Sequence, residues 1–170
     1  MQEYFSLFGL PERYMLDLSQ LDTAYRNVQA QVHPDRFAHR PEAERRVAMQ
    51  WATHANEAFR TLRNPIGRAR YLLSRRGVEI DGERNTAMSS AFLMQQMEWR
   101  ESVEEAQGNI DELDRLNREL ARDERVMLDD LARALDESAD LVTAAELVRR
   151  LMFMEKLRQE ISDALSQLEN

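Results

Sequence analysis

The chain predicts an all-α fold: an antiparallel helical hairpin with short flanking helices, followed by a three-helix bundle. Three observations carry that expectation. Gly and Pro are concentrated in the first 82 of the 170 residues, with only Gly108 beyond them. From about residue 88 onward, apolar residues recur at helical spacing with no β-rich stretch. Charge divides in the same place: residues 1–78 hold 12 Arg against 8 acidic side chains (+4), whereas residues 79–170 hold 11 Arg and Lys against 23 acidic ones (−12). The expected division is a first domain over residues 1–76, a linker over 77–87 and the bundle over 88–170.

At the N-terminus, Tyr4, Phe5, Leu7, Phe8 and Leu10 form an apolar cluster able to cover one end of the hairpin. Ser19 with Asp22 three residues on reads as a capping signal, after which Leu21, Ala24, Tyr25, Val28 and Val32 recur at helical spacing. This helix stops before Pro34, because proline disfavours an α conformation at His33. Pro41 in a first-turn position, with Glu42 and Glu44 beside the positive helix end, opens the second long helix. Val47, Trp51, Ala55, Ala58, Phe59 and Leu62 supply its apolar face, and Asn64-Pro65 ends it. Arg68 to Arg76 reads as a short closing helix. The bundle helices are expected near 89–107, 110–137 and 142–168, with turns at Gly108-Asn109 and Glu137 to Asp140. Their core is drawn from Val103, Ile110, Leu113, Leu116, Leu120, Leu131, Leu135, Leu147, Leu151, Ile161 and Leu165.

Composition removes whole classes of function. With 43% hydrophobic and 32% charged residues the chain is neither disordered nor fibrous. Having no Cys, it can hold no thiolate-bound zinc or iron-sulfur cluster and no cysteine nucleophile. His39 and His54 lack ligand-like spacing, so neither a metal nor another cofactor is expected. No apolar run approaches the roughly 20 residues of a membrane span, and the start lacks a basic segment followed by an apolar one. A soluble, unprocessed, cytoplasmic protein is the expectation. The net charge of −8 argues against nucleic-acid binding, and the Arg60, Arg63, Arg68, Arg70, Arg75 and Arg76 cluster reads as a solvated face.

The tripeptide His33-Pro34-Asp35 falls in the loop of the predicted hairpin. Taken alone it could be a helix stop and a turn. Adjacent side chains on a tight loop enclose no pocket, and no third group stands ready to position a substrate, so no catalytic residue is expected. In context, however, the helix ending Gln31-Val32, the tripeptide, Arg36-Phe37 and a long following helix with Asn56-Glu57-Ala58-Phe59-Arg60-Thr61-Leu62 resemble a J-domain over residues 1 to about 76. That resemblance implies a partner among the seventy-kilodalton heat-shock chaperones, contacted where its nucleotide-binding domain meets the interdomain linker. It further implies that His33, Pro34 and Asp35 stimulate ATP hydrolysis in that partner, with Arg26 and Arg36 alongside. Many J-domains carry a lysine-rich second helix. Here the segment from Ser19 to Val32 has one cation, Arg26, and one anion, Asp22, so electrostatic steering is expected to be weak and the chaperone a specialised one.

A second signal lies on the helix beginning near Ser90. At about 100° per residue, Phe92, Gln96, Trp99, Val103, Ala106 and Ile110 share a stripe about 80° wide, the natural core face. Leu93, Met94, Met97, Glu98, Glu101 and Glu105 lie about 100° to 240° away from it, which predicts large apolar groups among carboxylates on the solvent side. On the last helix Phe153 lies about 120° from the stripe of Leu147, Leu151, Met154, Ile161 and Leu165, and is likewise surplus to the bundle.

The order of the two parts, with Tyr4-Phe5-Ser6-Leu7-Phe8-Gly9-Leu10-Pro11, Phe92-Leu93-Met94 and Arg149-Arg150-Leu151, resembles the HscB family of iron-sulfur cluster assembly co-chaperones along nearly the whole chain. That resemblance implies that the bundle binds the cluster scaffold IscU and delivers it to the chaperone HscA. It places the scaffold-binding patch on Leu93, Met94, Met97, Glu98, Glu101, Glu105 and Phe153. A J-domain adaptor for a different client is the alternative, separated from this reading by the identity of the bound partner.

Overall fold

The computed structural model describes residues 1–80 and 88–170, and most of the linker expected over 77–87, Gly82 included, lies outside the described residues. Among the described residues every regular element is helical. None of these helices is long and apolar enough to cross a membrane. The chain divides into two compact units, Met1–Arg75 and Arg76–Asn170.

In the first unit, the short helix α1 (Tyr4–Leu7) is capped by Glu3, whose carboxylate accepts from the Phe5 and Ser6 amides at 2.8 and 3.0 Å. The same carboxylate accepts from the Tyr71 hydroxyl at 2.8 Å, and that hydroxyl accepts from the Tyr4 amide at 3.0 Å. Burial alone would raise the Glu3 carboxyl, but these hydrogen bonds outweigh it and hold Glu3 below the ordinary carboxylate value. Burial and the neighbouring Glu3 push Tyr71 up to about 12.

Helix α2 (Leu18–Val32) starts two residues earlier than the Ser19 signal suggests. Its N-cap is Asp17, which accepts from the Ser19 and Gln20 amides. Helix α3 (Glu42–Arg63) takes Pro41 as its N-cap residue. The two run antiparallel: Asp22 near the start of α2 pairs with Arg63 at the end of α3 at 3.0 Å, and Gln29 further along α2 donates to Asn56 at 3.0 Å. Between them Tyr25 stacks on Phe59 with ring centroids 4.1 Å apart and hydrogen-bonds Asn56. Ala48, Ala55, Ala58 and Leu62 form the buried stripe of α3, while Val47, expected to face inward, is exposed because it sits about 100° beyond Ala48.

Helix α4 (Pro65–Arg75) begins at Pro65 rather than Arg68, since Asn64 is extended as a residue before proline must be and its side chain accepts from the Gly67 amide. Gly67 eases the close turn there, because a Cβ would stand 3.0 Å from the Thr61 carbonyl oxygen, tighter than ordinary contact. Arg68 is a correction to the solvated-face expectation. It is buried, donating to the carbonyls of Leu62 at 2.8 Å and Tyr14 at 2.9 Å, with its guanidinium 5.2 Å from the Tyr14 ring centre.

The second unit packs α5 (Ser90–Glu105), α6 (Ile110–Asp136) and α7 (Leu141–Glu169). Ser89, Asn109 and Asp140 cap their N-termini through side-chain oxygens. The α5–α6 turn uses Gly108 at φ +81°, whereas Ala139 at φ +51° occupies the left-handed region before α7. Val103, Ala106, Leu113, Leu116, Leu120, Met154, Leu157 and Ile161 form one core cluster. Ile110, expected inside, is 41% exposed, because it opens α6 at the bundle's turn. Leu147 is half-buried and Val148 takes its core position. The reason is a rotation of the buried face by roughly 100° along α7. Its first half buries Ala144, Val148 and Leu151, while from Met154 onward Leu157 and Ile161 share a core with Val103 of α5 and with Ala106, the residue that caps its end.

Candidate functional site

Two surfaces, one on each unit, hold the residues singled out by sequence. On the first, α2 ends at Val32 and His33 is extended (φ −58°, ψ 133°), as the residue before proline prefers. Pro34 then opens a single 3₁₀ turn, Pro34–Phe37. His33 Nδ1 accepts from the Asp35 amide at 3.2 Å and lies 3.6 Å from the Asp35 carboxylate. Arg36 donates its amide to the His33 carbonyl at 3.0 Å and a guanidinium N–H to the Ala30 carbonyl at 3.1 Å, tying the tip back to the end of α2. Arg36 therefore positions the loop as well as adding charge to it, a role its place in the sequence does not announce. Arg26 is exposed on α2.

What this tip offers is a carboxylate with its side chain 92% exposed, on a backbone fixed by one proline and three hydrogen bonds. Such a group is suited to charge-assisted hydrogen bonds with a cation on another macromolecule. Its pre-set backbone reduces the ordering cost of docking. Among the described residues no group of three or more His, Asp or Glu is arranged to hold a metal ion. His39 is exposed, while His54 hydrogen-bonds the Gln2 carbonyl and packs edge-on against Tyr4 and Trp51.

On the second unit, α5 presents Leu93 (46% exposed), Met94 (63%) and Met97 (73%), with Glu98, Glu101 and Glu105 exposed on the same helix. The opposite face sets that rotation. Phe92 is buried with the Arg150 guanidinium 5.2 Å from its ring centre, and the Ser89 hydroxyl accepts from its amide. With Phe92, Val103 and Ala106 inside, helical geometry sends Leu93, Met94 and Met97 out.

Phe153 departs from the expectation that it is surplus to the bundle. It is half-buried, stacked on Trp99 (6.1 Å, 9°), edge-on to Phe92 (6.1 Å, 89°), and has the Arg100 guanidinium 5.5 Å from its ring centre. It is a wedge between α5 and α7 whose ring contacts are with the inner residues of α5. Arg100 is in turn held by Glu160 at 3.1 Å. Arg100 and Arg150 are thus positioning residues that periodicity does not pick out, since ring–cation pairing across helices leaves no spacing signal in the chain.

Residues 88–162 match the family model described as the HscB C-terminal oligomerisation domain. A co-chaperone HscB homologue of Aromatoleum aromaticum is 56% identical over 170 residues, covering 99% of this chain and 96% of that protein. Among solved structures, chaperone HscB from Vibrio cholerae is similar with a TM-score of 0.87 at 36% identity, over 98% of this chain and 99% of that one. The human co-chaperone HscB gives a TM-score of 0.91 at 26% identity, over 100% of this chain and 84% of that one.

Proposed function

The chain belongs to the HscB family of co-chaperones, with an N-terminal J-domain and a C-terminal helical bundle, and from that premise we propose that it delivers a client protein to a chaperone ATPase. The chaperone is HscA-like, of the seventy-kilodalton class, and the client is an IscU-like scaffold for iron-sulfur clusters, both in the cytoplasm. The observation that carries this reading is the pairing of two exposed surfaces on one chain: a stiffened anionic tip on the first unit and an apolar, acid-flanked helix face on the second.

The tip acts on hydrolysis without taking part in it. Asp35 binds a cation of the chaperone, Pro34 and the Arg36 tether hold that carboxylate in place, and His33 orients the Asp35 amide. Stimulation follows only if the tip binds the hydrolysis-competent arrangement more tightly than the resting one, because equal affinity for both would shift nothing. The second surface binds the scaffold through Leu93, Met94 and Met97, whose burial is worth roughly 1.5 to 3 kcal/mol each before association costs. Glu98, Glu101 and Glu105 select a basic client surface and orient it. Phe153 supports this face from behind. Covalent linkage of the two surfaces raises the effective concentration of client at its chaperone.

Calorimetric titration of the full chain with the scaffold tests the proposal. Met97→Ser is expected to weaken scaffold binding at least tenfold, while Asp35→Ala leaves it within twofold of the parent. A client of another kind binding at α5 while the scaffold does not would overturn the scaffold reading.

A further inference from the structure

Arg149, Met152, Phe153 and Lys156 recur along α7 at the three- and four-residue steps that keep side chains on one helix face. Within the second unit these four line a groove with Ile80 and Met88. Its volume of about 180 Å³ suits one protruding side chain, since small-molecule pockets occupy roughly 300 Å³ or more. Gln96 on α5 also lines it, which brings the groove within one residue of Met97.

The charge of this groove is unlike that of its surroundings. Among the described residues its charged lining is Arg149 and Lys156, in a part of the chain carrying −12, and Lys156 is the only lysine in the sequence. The neighbouring cations of the α5–α7 face are held by carboxylates: Arg100 pairs with Glu160, Arg150 with Glu146 and Arg158 with Glu124. Arg149 and Lys156 form no ion pair among the described residues, and Arg149 Nε is buried without a hydrogen-bond partner. A buried donor left unmatched favours a partner that brings an acceptor.

We propose that this groove is the second half of the client site, taking an apolar side chain beside a carboxylate from the same protein that covers Leu93, Met94 and Met97. This rests on the scaffold-binding reading above and extends it. The client then meets fields of opposite sign, carboxylates Glu98, Glu101 and Glu105 on α5 and cations Arg149 and Lys156 on α7, so one of its two possible orientations along the face is rejected by like charge.

The sole lysine makes the test direct. The full chain is titrated with scaffold protein, and side-chain amine acetylation is followed by mass spectrometry with and without scaffold. Lys156→Glu, and separately Arg149→Gln with Lys156→Gln, should each weaken binding about tenfold with an unchanged unfolding midpoint, and the Lys156 amine should be protected in the complex. If Met97→Ser weakens binding while both groove variants bind as the parent and Lys156 stays reactive, the groove proposal is overturned and the α5 reading survives. If the groove variants weaken binding and Met97→Ser does not, the α5 reading fails. Protection that grows with chain concentration in the absence of scaffold would assign the groove to a second copy and overturn the proposal.

Discussion

Phe153→Ser and Met97→Ser replace residues expected on one client surface, yet they should differ sharply in folding stability. Phe153 stacks on Trp99, meets Phe92 edge-on and lies under the Arg100 guanidinium. Aromatic pairs contribute about 0.5 to 1.5 kcal/mol each beyond area burial. Two such pairs and one partly exposed cation–ring contact of roughly 0.5 to 1 kcal/mol give a loss of about 1.5 to 4 kcal/mol for Phe153→Ser. Met97 is 73% exposed, so its truncation should stay within about 0.5 kcal/mol. Urea unfolding of the full chain, followed by circular dichroism, reads the difference as a shift in midpoint at unchanged slope. Both variants should bind scaffold more weakly, but only Phe153→Ser should also lower the midpoint. Equal midpoints for Phe153→Ser and the parent would refute the wedge assignment, and a large drop for Met97→Ser would refute its place on the solvent face.

Arg68→Met should destabilise the first unit by about 3 to 6 kcal/mol, because it removes the charge-assisted bonds that the Leu62 and Tyr14 carbonyls accept, each worth about 1.5 to 3 kcal/mol. Faster amide exchange in the segment around Tyr14 would register it, and Arg68→Lys should recover only part, lacking the guanidinium fork. Ala139→Gly should stabilise the fold by up to about 1 kcal/mol, read as a raised unfolding midpoint, since the left-handed backbone at φ +51° favours glycine. Stability should also fall at both pH extremes through the Glu3–Tyr71 pair. Tyr71 keeps its proton to about pH 12 in the folded state but loses it near 10 when unfolded, so its contribution is full below 10 and declines between 10 and 12. Glu3, lowered on folding, contributes above its unfolded value of about 4.5 and loses that contribution as pH falls through its folded value. In Tyr71→Phe, thermal unfolding should lose the alkaline part of this dependence.

The hairpin tip was legible because local rules decide it: proline excludes helix at His33, restarts the chain as a 3₁₀ turn, and leaves Asp35 at the apex whatever surrounds it. The outward face of α5 was legible for a similar reason, since a buried Phe92 and Val103 fix where Met97 must point. Phe153 was misplaced because a single helical stripe cannot register a buried face that rotates between Ala144–Leu151 and Met154–Ile161 along α7. Arg68 was misplaced because charge argues for the surface, and only the fold brings two buried carbonyls within reach of one guanidinium. Asp17 and Ser19 are both good caps, and the choice between them lay in two residues of backbone that residue type alone does not resolve.

The central claim is that the exposed Asp35 carboxylate switches a partner's nucleotide chemistry while the client is held elsewhere on the chain. Single-turnover ATP hydrolysis by the HscA-like chaperone, with scaffold present and either the parent or Asp35→Ala added at saturation, tests it most directly. The variant is expected to leave hydrolysis at the chaperone's unstimulated rate. Stimulation within twofold of the parent would contradict the account.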